Sequence, residues 1–199
     1  MPDINCNLEL ENDFLRDCDN PPVAGITDVV AIINYNDIDR AVTTFDSTNS
    51  QIVDNLVLKA GKRAYRVEGR DTSNNALASL VEKDAPAVNA WSHTYAGTAM
   101  NVDAVALDNL TKMAQGGSYV AIVERKYKGT NNESAFMILG YTSGLKLRTA
   151  DYSANENSGT LPFTLASADD QEEPKTPYIW LDTDYATTSA AFESLFGGY

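Results

Sequence analysis

Cations, histidine, cysteine and long apolar runs are all scarce in this sequence, and each shortage removes a class of function. Only 15 Lys and Arg stand against 28 Asp and Glu in 199 residues, a formal net charge of -13. Nucleic acid is gripped by clustered cations that displace its condensed counterions, so a conventional DNA-coating role is excluded. One histidine, His93, supplies no set of imidazoles for a structural zinc site, and Cys6 and Cys18 are too far apart for a CxxC knuckle. Two cysteines in a chain of this size read as reduced thiols rather than a disulfide framework. No stretch approaches the ~20 apolar residues that span a bilayer. The acidic opening MPDINCNLELENDF lacks the basic and then apolar order of a secretory signal. The expectation is a protein made in the cytoplasm with no membrane partner.

Catalytic chemistry is equally thin. Nucleophilic catalysis asks for a nucleophile, a base and an orienting group, and the only imidazole lies between Trp91 and Tyr95, which reads as a strand position beside aromatics. No GxSxG elbow and no GxxxxGK[ST] or GxGxxG loop occurs; Gly116-Gly117 follows a predicted helix, whereas a phosphate cradle precedes one. Asn34, Asn36, Asp37, Asp39 and the pair Asp182, Asp184 offer oxygen ligands for a hard cation, but without the glycine and distal glutamate of an EF-hand loop they read as solvated turn chemistry. The expectation is therefore no enzyme, no catalytic residue, no bound metal and no cofactor.

What is present is a 43% hydrophobic chain, enough for a core without staples, and a segregated charge. Residues 1–58 hold 2 basic and 11 acidic side chains, residues 59–148 hold 12 and 8, and residues 149–199 hold 1 and 9. Acidic ends flank a mildly basic middle, and the two are expected to meet in the same molecule or on a neighbour.

Residues 1–25 lack periodicity and end in Asn20-Pro21-Pro22, so they read as an irregular N-terminal arm. A β domain is expected over 26–182. TDVVAIINY (27–35) marks a buried strand, and a short strand is expected within 36–50. Alternation through 51–61 and 62–70 around Gly61 predicts a hairpin with one wet face. Trp91, His93 and Tyr95 share one face of another strand. A helix is predicted over about 102–115, with Val102, Val105, Ala106, Leu110 and Met113 on one stripe, Asn101 as its cap and Gly116-Gly117 as its stop. Residues 118–128 and 135–141 predict a second long hairpin, with further strands at 145–149, 161–166 and 177–182. Residues 151–159 and 167–176 read as exposed loops. The tail at 183–199 has room for a short helix with Phe192, Leu195 and Phe196 on one side, which either covers the core or docks on a partner.

Several motifs carry a resemblance. Cys6, then Leu15-Arg16-Asp17-Cys18, Gly25-Ile26 and the strand DVVAIINYNDID resemble the start of tail-tube-like ring proteins from the virions of phages that infect Bacteroidetes, including the crAss-like group. ERKYKGTNNESAFMILGYTSGLKLRTADY (124–152) is similar to that family's strand, "LG…GL" hairpin and loop, and LPFTLASADDQEEPKTPYIWLD (161–182) to its next strand and "EEP…PY" connector. The acidic 151–176 and the terminal DYATTSAAFESLFGGY depart from the family pattern. The resemblance implies a mainly β (α+β) fold, a tail-tube-like β-sandwich or barrel with one flanking helix, an arm and a tail. It further implies assembly of identical copies into a ring by joining sheets, in a virion tail or neck, beside adjacent tail, neck or portal proteins, with passing DNA touched only without adhesion. The subunit contacts expected from the sequence are Lys62, Arg63, Arg66, Arg125, Lys126 and Lys128 as basic partners of acidic residues on a neighbour, and Phe192, Leu195 and Phe196 as apolar ones. The alternative is a carbohydrate- or receptor-binding virion module, with Trp91, Tyr95 and Trp180 as stacking faces.

Overall fold

The structure is a computed structural model that describes residues 10, 13–15, 17–18, 20–70, 73–153 and 155–197. Cys6 lies outside these residues; Cys18 is a free, exposed thiol. The elements run β1 (Ile26–Asn34), β2 (Thr44–Phe45), β3 (Ile52–Asn55), β4 (Tyr65–Glu68), β5 (Asn75–Val81), β6 (Ala90–Ala99), α1 (Ala104–Ala114), β7 (Tyr119–Arg125), β8 (Phe136–Leu139), β9 (Leu145–Ala150), β10 (Leu161–Ser167), β11 (Tyr178–Trp180) and α2 (Tyr185–Ser194). The fold is mainly β, as expected, but the 11-stranded sheet is not closed into a barrel; of the two α-helices, α1 is the flanking helix and α2 is the short helix for which the tail had room.

β1, β7 and β8 form the centre because their side chains are apolar on both faces, the pattern of strands covered on two sides. Ala31, Ile33, Val120, Ile122, Phe136 and Ile138 point into one core together with Val53 of β3, Trp180 of β11 and Phe192 of α2. Their alternates Val30, Ile32, Ala121, Val123 and Leu139 point into a second core against Tyr95, Leu145, Phe163 and Leu165 of β6, β9 and β10. The second core requires the β9-β10-β6-β5 half of the sheet to lie over the central strands. The two halves are linked by a single bridged pair, Tyr119↔Leu145. The chain turns this corner between Gly140 (φ +74°) and Gly144 (φ +82°), the two glycines of the "LG…GL" motif. A Cβ at Gly140 would lie 2.5 Å from Leu145 Cγ, and one at Gly144 2.2 Å from Ser118 Oγ, so the corner needs glycine for space as well as for φ.

The predicted β7–β8 hairpin forms, with Ile122 opposite Ile138 and Val123 opposite Met137. The predicted hairpin over 51–70 does not. β3 runs parallel to β11 and antiparallel to β2, while β4 pairs with β1, Val67 opposite Val30. Gly61 does sit in a turn, at φ +72°, but Leu56 and Ala64 on either side of it sink into the first core and pull the two strands apart. Alternation identifies a wet and a dry face; it does not choose the neighbour.

α1 is two residues shorter at its start and one at its end than the predicted range. Its cap is Asp103, whose Oδ1 accepts from Ala106 N at 2.8 Å, and not Asn101, which donates to Asp103 Oδ2 at 3.1 Å. Val102, Leu110 and Met113 pack on the second core, but Val105 faces solvent. α2 completes the first core: Phe192, Leu195 and Phe196 are all buried, so the tail covers its own domain instead of standing apart from it.

Candidate assembly interface

A β protein that joins copies of itself does so most directly through unpaired strand edges, and such edges are normally blunted by charge, proline, bulges or brevity. Among the described residues β2, β4 and β5 each have one strand partner, and β9 is open beyond its bridge to β7. β2 has two residues. β4 carries Arg66 and Glu68, and β9 carries Lys146 and Arg148. β5 has none of these protections. Its sequence, NALASLV, contains no charge and no proline, and it pairs with β6 in unbroken register from Asn75↔Ala96 to Val81↔Ala90. Leu77 and Leu80 on it are 52% and 51% exposed. Seven residues of bulge-free, neutral, half-apolar edge are the least protected strand edge among the described residues. Nothing in the sequence marks this strand, because alanine and serine dilute the β-branched signal that marks strands elsewhere.

The nine residues expected at subunit contacts do not form one surface: Arg63 and Arg66 meet Phe192, Leu195 and Phe196 beside β4, while Arg125, Lys126 and Lys128 lie at the end of β7. Arg125 lies opposite Ile26 at the start of β1, whereas Lys62 pairs with Asp37 beyond its end, Nζ to Oδ1 at 3.2 Å. At ~3.3 Å per strand residue these ends are roughly 30 Å apart. Arg66 reaches Glu193 at 2.5 Å and Glu68 at 3.6 Å and lies over the Phe196 ring, while its Nε is buried without a hydrogen-bond partner among the described residues. Lys128 meets Glu124 and the Tyr185 hydroxyl, both at 2.6 Å; burial opposes its charge, but these two partners outweigh it and raise its pKa. Arg125 is half-buried and donates to Ser134 O at the end of its own hairpin, and burial lowers its pKa. Arg63 is exposed beside the Tyr65 ring, and Lys126 is exposed near the root of the arm, its backbone N–H donating to Gly25 O at 3.0 Å. Phe192, Leu195 and Phe196 are spent on the core.

Acidic ends and basic middle therefore do meet, but within one chain: Glu193 on Arg66, Asp169 on Arg148, and Asp170 and Glu172 on Lys83. Exposed pairs of this kind contribute about 0–1 kcal/mol each, so they set register rather than strength.

The connector over 167–176 is not exposed throughout: Ser167 and Glu173 within it are buried. Glu173 is 1% exposed, and its carboxylate accepts from Thr142 N at 2.9 Å and Ser143 N at 2.7 Å, pinning the corner between β8 and β9. Its backbone pairs with Trp91 in both directions at 2.8 Å. His93, next on that face, is fully buried. Its Nδ1 accepts from Gly140 N at 3.2 Å, which places the proton on Nε2, donating to Lys175 O at 3.0 Å. Both ring nitrogens are thus held by backbone, a structural role rather than a base poised for chemistry.

Burial lowers the His93 pKa below its ordinary 6.5, and the smaller opposing pulls come from the Glu173 charge and the Lys175 carbonyl. Below pH 6.5 the unfolded chain takes up a proton that the folded chain refuses, so stability falls as pH falls through that window. Denaturant midpoints measured from pH 7 to pH 5 are expected to lose up to about 2 kcal/mol, and His93→Gln is expected to remove that slope.

Asp37 accepts from Asn34 Nδ2 at 2.8 Å; burial pushes its carboxyl up, but Asn34 and Lys62 together hold it below the usual range. Asp184 caps α2 through Thr187 N at 2.7 Å. Among the described residues no group of three or more His, Cys, Asp or Glu could hold a metal ion. Of the three aromatic faces considered for carbohydrate, Tyr95 and Trp180 are core side chains. No described helix is long and apolar enough to cross a membrane.

A concavity of about 650 Å³ opens between α1 and the free edge of β4. Ile32, Tyr65, Val67, Leu110, Met113 and Phe163 give it apolar walls, and Arg66, Glu68 and Lys112 line it as well.

Compared with known proteins, the chain matches no family model, no curated protein and no solved structure.

Proposed function

We propose that this protein is a structural subunit of a bacteriophage tail or neck ring, part of the DNA ejection conduit or its collar, and that it has no catalytic role. The observation that carries the reading is the bare edge of β5. A bulge-free, uncharged edge of seven residues is a hazard to a protein that works alone and a joint to one that works as an array. The segments that resemble the tail-tube-like ring proteins, 124–152 and 161–182, form the β7–β8–β9 corner and the β10-to-β11 passage, which frame the fold. The partners in this reading are identical copies, then neighbouring tail, neck or portal proteins. DNA is a passenger: a body of charge -13 gives phosphates little to hold, so the duplex slides along the wall instead of binding it.

Light scattering across a concentration series, followed by negative-stain images, tests this. Expected are closed rings with an open centre that grow at the expense of monomer, and no retention of duplex DNA at low salt. A chain that stays monomeric at every concentration, or one that holds DNA with a steep salt dependence, overturns it.

A further inference from the structure

We infer that the N-terminal arm of one copy docks in the cleft of the next, with Phe14 and Leu15 seated between α1 and β4; this rests on the reading of the protein as a self-assembling subunit. Phe14 is 91% and Leu15 84% exposed, and Leu10 stands out to solvent nearby. Adjacent large apolar side chains left in water on an otherwise polar segment are a contact waiting for its other half. The cleft is that half. At about 650 Å³ it is of the size that takes a few large side chains, and it is walled by Ile32, Val67, Leu110, Met113 and Phe163 over the second core.

Charge agrees. Residues 1–20 hold six acidic side chains and one basic, with Asp13 directly before Phe14. Arg66 and Lys112 line the cleft, paired with Glu193 and Asp108 at its rim, and exposed Arg63 adjoins it as the cation nearest an incoming acidic segment. The unpaired edge of β4 also runs along the cleft and offers backbone partners to an extended segment.

Exposure favours a neighbour's arm over the chain's own, since Phe14 and Leu15 stand in solvent and not against α1 or β4. The arm is rooted where Gly25 O meets Lys126 N, at the start of β1, and the cleft opens on Ile32 and Asn34 at its other end, roughly 20–30 Å away at strand spacing. Pro21-Pro22 fixes φ between arm and strand and stiffens the departure. Arm and cleft are different surfaces, so the contact is head-to-tail and propagates from copy to copy until rotation closes it.

The test uses a fluorescein-labelled peptide of residues 7–20 as probe and the full chain carrying Phe14→Ser and Leu15→Ser as acceptor, so that the resident arm does not compete. Anisotropy is expected to give saturable binding, weakened at least tenfold when the peptide itself carries Phe14→Ser and Leu15→Ser. With methyl-labelled methionines, the Met100 and Met113 signals from the cleft are expected to shift on binding. Absence of saturable binding, binding indifferent to the peptide substitutions, or shifts that spare both methionines overturns the inference. Rings that form without peptide binding sink the arm contact alone; peptide binding by a chain that never forms rings sinks the assembly reading instead.

Discussion

Replacing Leu77 and Leu80 together by lysine is expected to leave the protein folded and to weaken its self-association by about tenfold. The fold survives because both side chains are half-exposed at a free edge, where a lysine stem lies along the strand and its ammonium stays in water. A change of under about 1 kcal/mol in unfolding free energy is ordinary for such positions. Association is another matter, since a second strand laid against β5 sets its side chains beside Leu77 on one face and Leu80 on the other, and lysine removes both apolar cross-strand contacts. Each such pair contributes about 0.2–1 kcal/mol and each tenfold in affinity is about 1.4 kcal/mol, so the two together account for about tenfold. Sedimentation velocity across a concentration series reads the effect. Unchanged association with an intact fold would move the joint away from β5.

Phe192→Ala is expected to lose about 3–5 kcal/mol of folding stability, the range for emptying a large aromatic site in a core. Phe192 is buried, with its ring centroid 5.1 Å from Phe136 and 5.3 Å from Phe196, and Phe136 in turn contacts Trp180 and Tyr185. Removing the ring uncouples α2 from the sheet and takes the Ala64 N to Leu195 O bond with it. Urea denaturation checks it. Were the tail instead a docking segment, stability would change by less than about 0.5 kcal/mol and only assembly would suffer.

The contrast between these two variants shows what could be read from sequence. The central strands were legible because β1 and β7 are nearly continuous Val, Ile and Ala and β8 is Phe-Met-Ile-Leu, and β6 because Trp91, His93 and Tyr95 alternate against Ser92, Thr94 and Ala96. The helix α1 was legible from its stripe, but Asp103 and Asn101 are both good caps two residues apart, and only the geometry of the first turn chooses between them. Which strands pair was not legible over 51–70, since the answer lies in Leu56 and Ala64 sinking under α2, an element over a hundred residues away. β5 was missed because its alternation is written in alanine and serine.

The same holds for the candidate site. Lys62, Arg66 and Lys128 stand out as cations, yet the acids that meet them, Asp37, Glu193 and Glu124, lie on their own chain. Glu173 looked like one more acid in an acidic connector; its role depends on Thr142 and Ser143 turning their N–H groups toward it across the corner. An exposed strand edge and an open cleft are properties of the assembled sheet, and no residue announces them.

Hydrogen exchange on β5, compared between dilute monomer and the concentrated, assembled protein, tests the central claim most directly. The account predicts that amides within Asn75–Val81 pointing away from β6 exchange freely in the monomer and become protected on assembly, while the interior amides of β1 and β7 stay protected in both. Assembled protein in which the outward amides of β5 exchange as fast as in the monomer would contradict it.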